Sequence, residues 1–546
     1  MNLLLPPGSK LLIGRRRELE LLYLHLQSAC AGIGATVLLD GEPGVGKTHL
    51  AEELARRATG LGVRVLWGRC YAGETAPAFW PWLRIILACL QDAQDGERPP
   101  EIATAVGIIA RLVPELSDYL RGSLPEAVAD SRFPDDTGGR QTSVDAASGL
   151  SPRSSFERFR LFDSVVTLLR SSARMRPHLL ILDDLQDADA LSLLLLQFLG
   201  REVRDIPLLL VATYRDTEVG PHHPLEPILK SLARDSVMEH MHLHGLNEAE
   251  VSHFISVTAG QTLPASWVAG VWRETGGNPF FIAETIRLLA SEGQLARVDG
   301  QPAATMVLPR RGREVIDRRL QHLSPTCRTV LTMAAVSGRE FGLAILERSG
   351  VLAGEELLEA LDEALAARLI EREGDTLSRY RFAHDLIRET LYEGLPETER
   401  VRLHRRVAET LERLHGPGRG RYLAEIAHHY LRAAPGGDVQ KAVNYATHAA
   451  ERATRLLAYE EAVSHYQHAL EALELCELDQ PTQQCELFLA LGEACYRAGE
   501  VERAREAFLE AAEAARSLAS PEHLARAALG FSGDGSAAGR LEELCV

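Results

Sequence analysis

Gly41-Glu42-Pro43-Gly44-Val45-Gly46-Lys47-Thr48 joins an amide-rich turn to one ammonium and one hydroxyl, directly after an apolar run, Ala35 to Leu39. These residue types at this spacing suit a nucleoside triphosphate. Glycines let the backbone close around phosphate, and the amides leading into a helix from His49 favour negative charge. Lys47 can reach the β- and γ-phosphates, and the Thr48 hydroxyl can ligate Mg²⁺. Leu50, Leu54 and Ala58 share one helical face, which completes a strand, loop and helix. Residues 41 to 49 are therefore expected to hold ATP or ADP with Mg²⁺.

A second chemical signature follows 135 positions after Thr48, in His178-Leu179-Leu180-Ile181-Leu182-Asp183-Asp184. An apolar strand ending in two carboxylates has the Walker B form. Asp183 is expected to hold Mg²⁺ with Thr48, and Asp184 to polarise the attacking water, ahead of Asp187 and Asp189 as lesser candidates. A further strand, Pro207 to Ala212, runs into Thr213-Tyr214-Arg215, which puts Arg215 at the carboxyl edge of the sheet, where ligands bind in open α/β folds. Lys47, Asp184 and Arg215 are the expected catalytic set. Arg201 and Arg204 fit an arginine finger and solvated charges equally well, so the sequence names no arginine finger.

These residues need a parallel sheet to position them. Strand-like runs at Ala35 to Leu39, Val63 to Trp67, Leu179 to Asp183, Leu208 to Thr213 and Met238 to Leu243 alternate with helical stretches, the pattern of an α/β P-loop NTPase. At 546 residues several domains are required, and 46% apolar residues is ordinary for globular chains. A net charge of -17 disfavours nonspecific adhesion to nucleic acid or anionic membrane. Eight cysteines without a CxxC pair fit thiols in a reducing cytosol, and no run reaches the length of a membrane span. A cytoplasmic protein with no membrane partner is expected.

The P-loop core is assigned to 1–246, with a Ser-, Gly- and Asp-rich surface insertion at about 122–155 expected to be disordered. After it Phe156, Phe159, Phe162 and Val166 recur at helical spacing and are expected in the core. The aromatic cluster Ala78-Phe79-Trp80-Pro81-Trp82 reads as packing. A helical lid is expected over 247–308 and a winged-helix-like domain over 309–395. Residues 396–546 are alanine-rich and helical. Within them Ala462, Tyr466 and Ala469 match Ala504, Phe508 and Ala511 at a 42-residue interval, with Leu491-Gly492 at a tetratricopeptide-like position. Order is expected to weaken after about Phe531, where the chain looks cut short.

With these motifs in place, residues from about Leu12 to Phe531 resemble the STAND class of signal-transduction ATPases. The likeness is to the AAA-type ATPase and repeat region of large LuxR-type transcriptional regulators and to the regulatory region of soluble adenylyl cyclases. Ile13-Gly14-Arg15-Arg16-Arg17-Glu18-Leu19 is similar to the family's FVGRExEL motif, with Arg16 where the family has Glu. The resemblance implies that Gly14 and Arg15 lie against adenine. Thr213-Tyr214-Arg215 looks like sensor 1, in which Arg215 detects the γ-phosphate. Thr275-Gly276-Gly277-Asn278-Pro279-Phe280-Phe281 resembles the lid motif whose proline, Pro279, packs on adenine. Phe382-Ala383-His384-Asp385 resembles the winged-helix motif whose histidine, His384, contacts the β-phosphate of ADP.

The resemblance implies a slowly hydrolysing switch, ADP-bound at rest and ATP-bound when active, with a small-molecule or protein signal on the repeats and self-association in the ATP state. Two other readings compete: a regulator gripping DNA through its winged helix, and a scaffold that holds nucleotide without turnover. Glu355, Glu356, Glu359, Asp362 and Glu363 make the helix from 354 to 367 acidic, so DNA contact is expected only through an additional output domain. No cyclase catalytic domain is recognisable.

Overall fold

The computed structural model describes residues 12–71, 78–92, 100–113, 152–234, 238–292, 294–295, 312–350, 352, 354–372, 378–416, 420–475 and 480–532. Helices and strands alternate first: α1 (Arg16–Cys30), β1 (Ala35–Asp40), α2 (Lys47–Gly60), β2 (Arg64–Arg69), α3 (Trp80–Asp92), α4 (Pro100–Leu112), α5 (Pro152–Met175), β3 (His178–Asp183), α6 (Ala190–Glu202), β4 (Leu208–Thr213), α7 (Leu225–Leu232) and β5 (Met238–His242). All five expected strands form, in one parallel sheet of order β2-β3-β4-β1-β5. Its two faces divide strictly by sequence parity. Val37, Leu39, Leu179, Ile181, Leu209 and Val211 pack with α1 and α2, whereas Leu38, Leu180, Leu182, Leu208 and Leu210 pack with α3 to α7. Because β4 lies between β1 and β3, the ends of the P-loop strand and the acidic strand flank Thr213.

The aromatic cluster packs as expected, with Phe79 and Trp82 buried and the Trp82 indole N–H donating to Ser192 O (3.1 Å). The phenylalanine stripe needs correction. Phe162 and Val166 are buried, but Phe156 and Phe159 are 60% and 54% exposed, because the N-terminal turns of α5 run past the edge of the core. Phe159 meets Phe198 in a T-shaped contact, at 5.8 Å between ring centroids. Helix α5 also begins at Pro152, inside the expected insertion, the rest of which lies outside the described residues.

Next come α8 (Glu248–Ala259), α9 (Ala265–Thr275) and α10 (Pro279–Ser291), three helices around their own core of Val251, Ile255, Trp267, Ile282 and Ile286. Asn247 and Glu250 form a capping box at the start of α8, and Gly260 and Gly276 end α8 and α9 in left-handed backbone. Then α11 (Gly312–Gln321), α12 (Pro325–Ser337), β6 (Glu340–Gly342), α13 (Leu343–Arg348), α14 (Glu355–Ala366), β7 (Ile370–Arg372), β8 (Arg379–Phe382) and α15 (Asp385–Glu393) surround a small antiparallel sheet of order β6-β8-β7.

The last part is helical: α16 (Glu397–His415), α17 (Leu423–Ala433), α18 (Val439–Arg455), α19 (Tyr459–Glu474), α20 (Pro481–Ala498), α21 (Val501–Ser517) and α22 (Pro521–Ser532), each packed on the next. The two matched sets of small and aromatic residues, on α19 and α21, are all buried. Phe508 fills the space that Gly492 and Gly530 leave, since a Cβ at either glycine would lie 2.7 and 2.3 Å from its ring. The tail beyond 532 is outside the described residues. Among the described residues no helix is long and apolar enough to cross a membrane.

Candidate functional site

The P-loop takes its shape from Gly41, Gly44 and Gly46, whose φ values of 138°, 84° and 107° exclude most side chains. Space excludes them as well. A Cβ on Gly44 would lie 2.8 Å from Phe280 Cβ, 3.0 Å from Asn278 Oδ1 and 3.3 Å from His384 Nε2, so α10 and the turn before α15 both close over the loop. Helix α2 starts at Lys47 without a side-chain cap, leaving backbone N–H groups for an anion. Lys47 is buried, and its Nζ donates to the carbonyls of Gly41 (2.6 Å) and Glu42 (3.0 Å). Burial lowers its pKa, while the charge of Asp184 opposes that fall. His49, half-buried on the first turn, lies 3.9 Å from Glu52.

At the end of β3, Asp183 accepts hydrogen bonds from Thr48 Oγ1 (3.0 and 3.2 Å) and Thr213 Oγ1 (2.6 Å). Burial and the adjacent Asp184 push its carboxyl upward. Asp184 has left-handed backbone (φ 60°), and its amide donates to Thr213 Oγ1 (3.0 Å). This turn sends its carboxylate away from Asp183. Arg339 donates to it at 2.6 Å, Gln186 Nε2 at 3.3 Å, and Arg215 Nε lies 3.8 Å away. Burial raises the Asp184 pKa, but the two guanidiniums more than offset this and hold it ionised. The lesser candidates differ: Asp189 caps α6 through Ser192 N (2.9 Å), and Asp187 is pushed up to about 7 by burial and by Asp184.

Arg215 is buried and engaged. Its guanidinium donates to Glu218 (2.7 Å) and Asp385 (3.1 Å). Beside Asp385, His384 stacks on Phe280 at 3.9 Å, and its Nδ1 accepts the Leu386 N–H (3.2 Å), which leaves the proton on Nε2, the nitrogen facing Gly44. Burial, aided by Arg339, pulls His384 down to about 3, so the ring is neutral at physiological pH.

The remaining expected residues gather at the same loop. Arg15 is buried and donates to the carbonyls of Val45 (3.1 Å) and His244. Gly14, at φ 70°, packs against Leu246 and Glu250 at the start of α8. Pro279 is half-buried at the first position of α10; its neighbours make the contact, Asn278 Nδ2 donating to Pro43 O (2.9 Å) and Phe280 N facing Gly44 O (3.4 Å). Sequence reasoning missed Arg339, Thr213, Gln186 and Asn278 as parts of this network. Thr213 and Asn278 stood inside quoted motifs. Arg339, in the short turn between α12 and β6, carried no periodic or motif signal.

Residues 11–211 match the family model described as AAA ATPase domain. That part of the chain is an AAA-type P-loop ATPase domain, in agreement with its strand order. An uncharacterized protein of Rhizobium meliloti is 25% identical over 473 residues, or 84% of this chain, which spans 42% of that relative's length. Among solved structures, a Signal Transduction ATPase with Numerous Domains with a tetratricopeptide repeat sensor from Pyrococcus horikoshii aligns over 96% of this chain and 67% of its own, at 15% identity and a TM-score of 0.43. Cdc6p from Pyrobaculum aerophilum aligns over 72% of this chain and 98% of its own, at 14% identity and a TM-score of 0.32. The Aeropyrum pernix Orc1 protein, solved in complex with DNA, covers 72% of this chain and 96% of its own at 15% identity and a TM-score of 0.31.

Proposed function

We propose that the chain is a nucleotide-operated signalling switch whose resting state binds ADP and whose active state binds ATP. The observation that carries this reading is that groups from beyond the ATPase domain occupy its reactive side chains: Arg339 holds Asp184, Asp385 holds Arg215, and His384 covers the P-loop. The proposed division is a P-loop core (1–246), a helical lid (247–308), a winged-helix-like latch (309–395) and a tetratricopeptide-like sensor (396–546). The sensor takes a small-molecule or protein signal, and the ATP form self-associates.

On ATP binding, Lys47 exchanges its carbonyl contacts for the β- and γ-phosphates, and Arg215 exchanges Asp385 for the γ-phosphate. Thr48 and Asp183, hard oxygen donors 3.0 Å apart, fit Mg²⁺, which when bound neutralises charge on the phosphate oxygens. Asp184, released from Arg339, takes a proton from water as the water oxygen bonds to the γ-phosphorus and the bridging oxygen leaves with ADP. Gly14, Arg15 and Pro279 line the adenine side, and the neutral His384 donates its Nε2–H to the β-phosphate of ADP.

The test is phosphate release from purified protein with Mg²⁺-ATP, together with the nucleotide recovered after denaturing it. Co-purified ADP and slow turnover that disappears in Asp184→Ala are expected. Protein that arrives empty and never turns over would leave only the scaffold reading.

A further inference from the structure

The carboxyl edge of the sheet carries a second polar cluster, one strand away from the P-loop, that the nucleotide chemistry leaves unused. β5 runs Met238-Glu239-His240-Met241-His242, and the strand period of two places His240 and His242 on one face, with Met241 buried on the other. His242 is in register with Asp40, the last residue of β1. Asp40 is only 4% exposed, and its carboxylate lies between the two imidazoles: Oδ2 is 2.8 Å from His242 Nδ1, and Oδ1 is 2.9 Å from His240 Nε2. Asp216 comes in from the loop after β4. One donor atom each from Asp40, Asp216 and His242 lies within 4.8 Å of the other two.

Hydrogen bonding accounts for only part of this cluster. Asp40 has an imidazole at each oxygen, but Asp216 Oδ1 is shut off from solvent without a hydrogen bond. A buried carboxylate oxygen without a donor is costly unless a cation meets it. Lys47, whose charge interacts with that of Asp216, is already committed to the P-loop carbonyls.

We propose that Asp40, Asp216 and His242 form a binding site for a divalent transition-metal ion of the zinc type. Two carboxylates and one imidazole are a mixed oxygen and nitrogen set, suited to zinc, cobalt or manganese, with a coordination position left for water. Adjacent ligands of a tetrahedral ion with bonds of about 2.0–2.1 Å stand about 3.3 Å apart. The 2.8 Å between His242 Nδ1 and Asp40 Oδ2 therefore needs to open by only about half an ångström. His240 sits outside this set and orients Asp40, while its own Nε2 lies 3.0 Å from the Tyr214 hydroxyl. The ion would join β1, β5 and the loop that carries Arg215, fixing the arginine one residue before its own ligand. It is distinct from the Mg²⁺ position between Thr48 and Asp183, which offers oxygen alone.

The experiment uses the full chain, stripped with a chelator and kept in millimolar Mg²⁺ without nucleotide. Co²⁺ is titrated in, following its visible absorption, and then displaced with Zn²⁺. One equivalent of Co²⁺ is expected to bind and to be displaced by Zn²⁺. Affinity should fall at least tenfold in His242→Gln and in Asp216→Asn, and remain unchanged in Asp183→Asn. Circular dichroism and thermal melting of the variants show that they are folded; His242 is 40% exposed at its side chain, so the glutamine costs little packing. Absence of Co²⁺ uptake would overturn the proposal. So would uptake lost in Asp183→Asn, or weak multiple uptake that persists in His242→Gln.

Discussion

In the proposed switch, Asp184 is the residue on which the resting state turns. Its left-handed backbone carries a cost of about 1–3 kcal/mol for a side chain with a Cβ, and the Thr213 hydroxyl, Gln186 and two guanidiniums maintain it. A carboxylate held by Arg339 at 2.6 Å is a poor proton acceptor for water. Arg339→Ala should therefore raise steady-state phosphate release several-fold, and Asp184→Asn should abolish it in either background. Arg215 remains beside Asp184 in the alanine variant, so the carboxylate is not left alone. A fall in turnover would instead make Arg339 a participant in the reaction. His384 gives a second test of the proposed ADP state, in which a neutral ring donating to phosphate holds ADP without needing charge. His384→Ala is expected to speed release of fluorescent ADP by about tenfold, the 1.4 kcal/mol scale of one hydrogen bond, while Lys47→Ala should prevent nucleotide binding in calorimetry.

At the scale of elements, the helical array has an acid-sensitive joint. His404 on α16 and His429 on α17 are buried with their Nδ1 atoms 2.8 Å apart, and Tyr392 on α15 lies 2.9 Å from His404 Nε2. Burial pulls His404 down to about 3 and His429 well below its ordinary value, each opposed to charging by nearby histidine. Folded pKa values below the unfolded value of about 6.5 mean that the unfolded chain binds more protons. Stability is then complete above about 6.5 and is lost as pH falls toward 3, by about 3 kcal/mol for the two rings at pH 5.5. Thermal melting at pH 7.5 and 5.5 should show this, and His429→Gln should halve the difference; an unchanged slope would place the acid sensitivity elsewhere. This joint was not legible in the sequence, where the histidines lie 25 positions apart on ordinary helical faces. The central strands were legible, because Leu179 to Leu182 and Leu208 to Ala212 are buried on both faces and so form unbroken apolar runs. The P-loop glycines were legible for a similar local reason. Arg339 and the Asp40, Asp216 and His242 cluster depend on segments far apart in the chain, and Phe156 and Phe159 kept a core-like spacing beyond the end of the core.

For the whole molecule, the proposed switch requires that a signal on the helical array reach Asp184. The array touches the ATPase domain through the start of α19. Arg158 on α5 donates to Leu457 O (2.9 Å) and to both oxygens of Glu460 (2.9 and 2.6 Å), and it lies over the Tyr459 ring at 4.7 Å. Next to it, Glu461 accepts the Ala190 N–H (2.6 Å) at the first residue of α6, six positions downstream of Asp184 in the turn that Asp189 caps. From the other side, Glu340, the neighbour of Arg339, accepts from Tyr71 (3.1 Å) and meets Arg69 (3.5 Å). The helical array thus meets the chain just after the acidic strand, and the turn into β6 meets both Asp184 and the end of β2. Inverting a switch from 1:99 to 99:1 takes about 5.5 kcal/mol, more than one exposed ion pair supplies. A buried, bidentate arginine with a ring beneath it is a stronger contribution. Arg158→Ala should therefore loosen the array without touching the nucleotide: a larger radius of gyration in solution scattering, faster ADP release, and ATP affinity in calorimetry no weaker than in the parent. Glu460→Ala should act in the same direction, and the double variant should do little more than either alone, since both remove one interaction. Full additivity, or an unchanged radius and release rate in Arg158→Ala, would mean that the array is not held closed at this contact and that the latch alone sets the resting state.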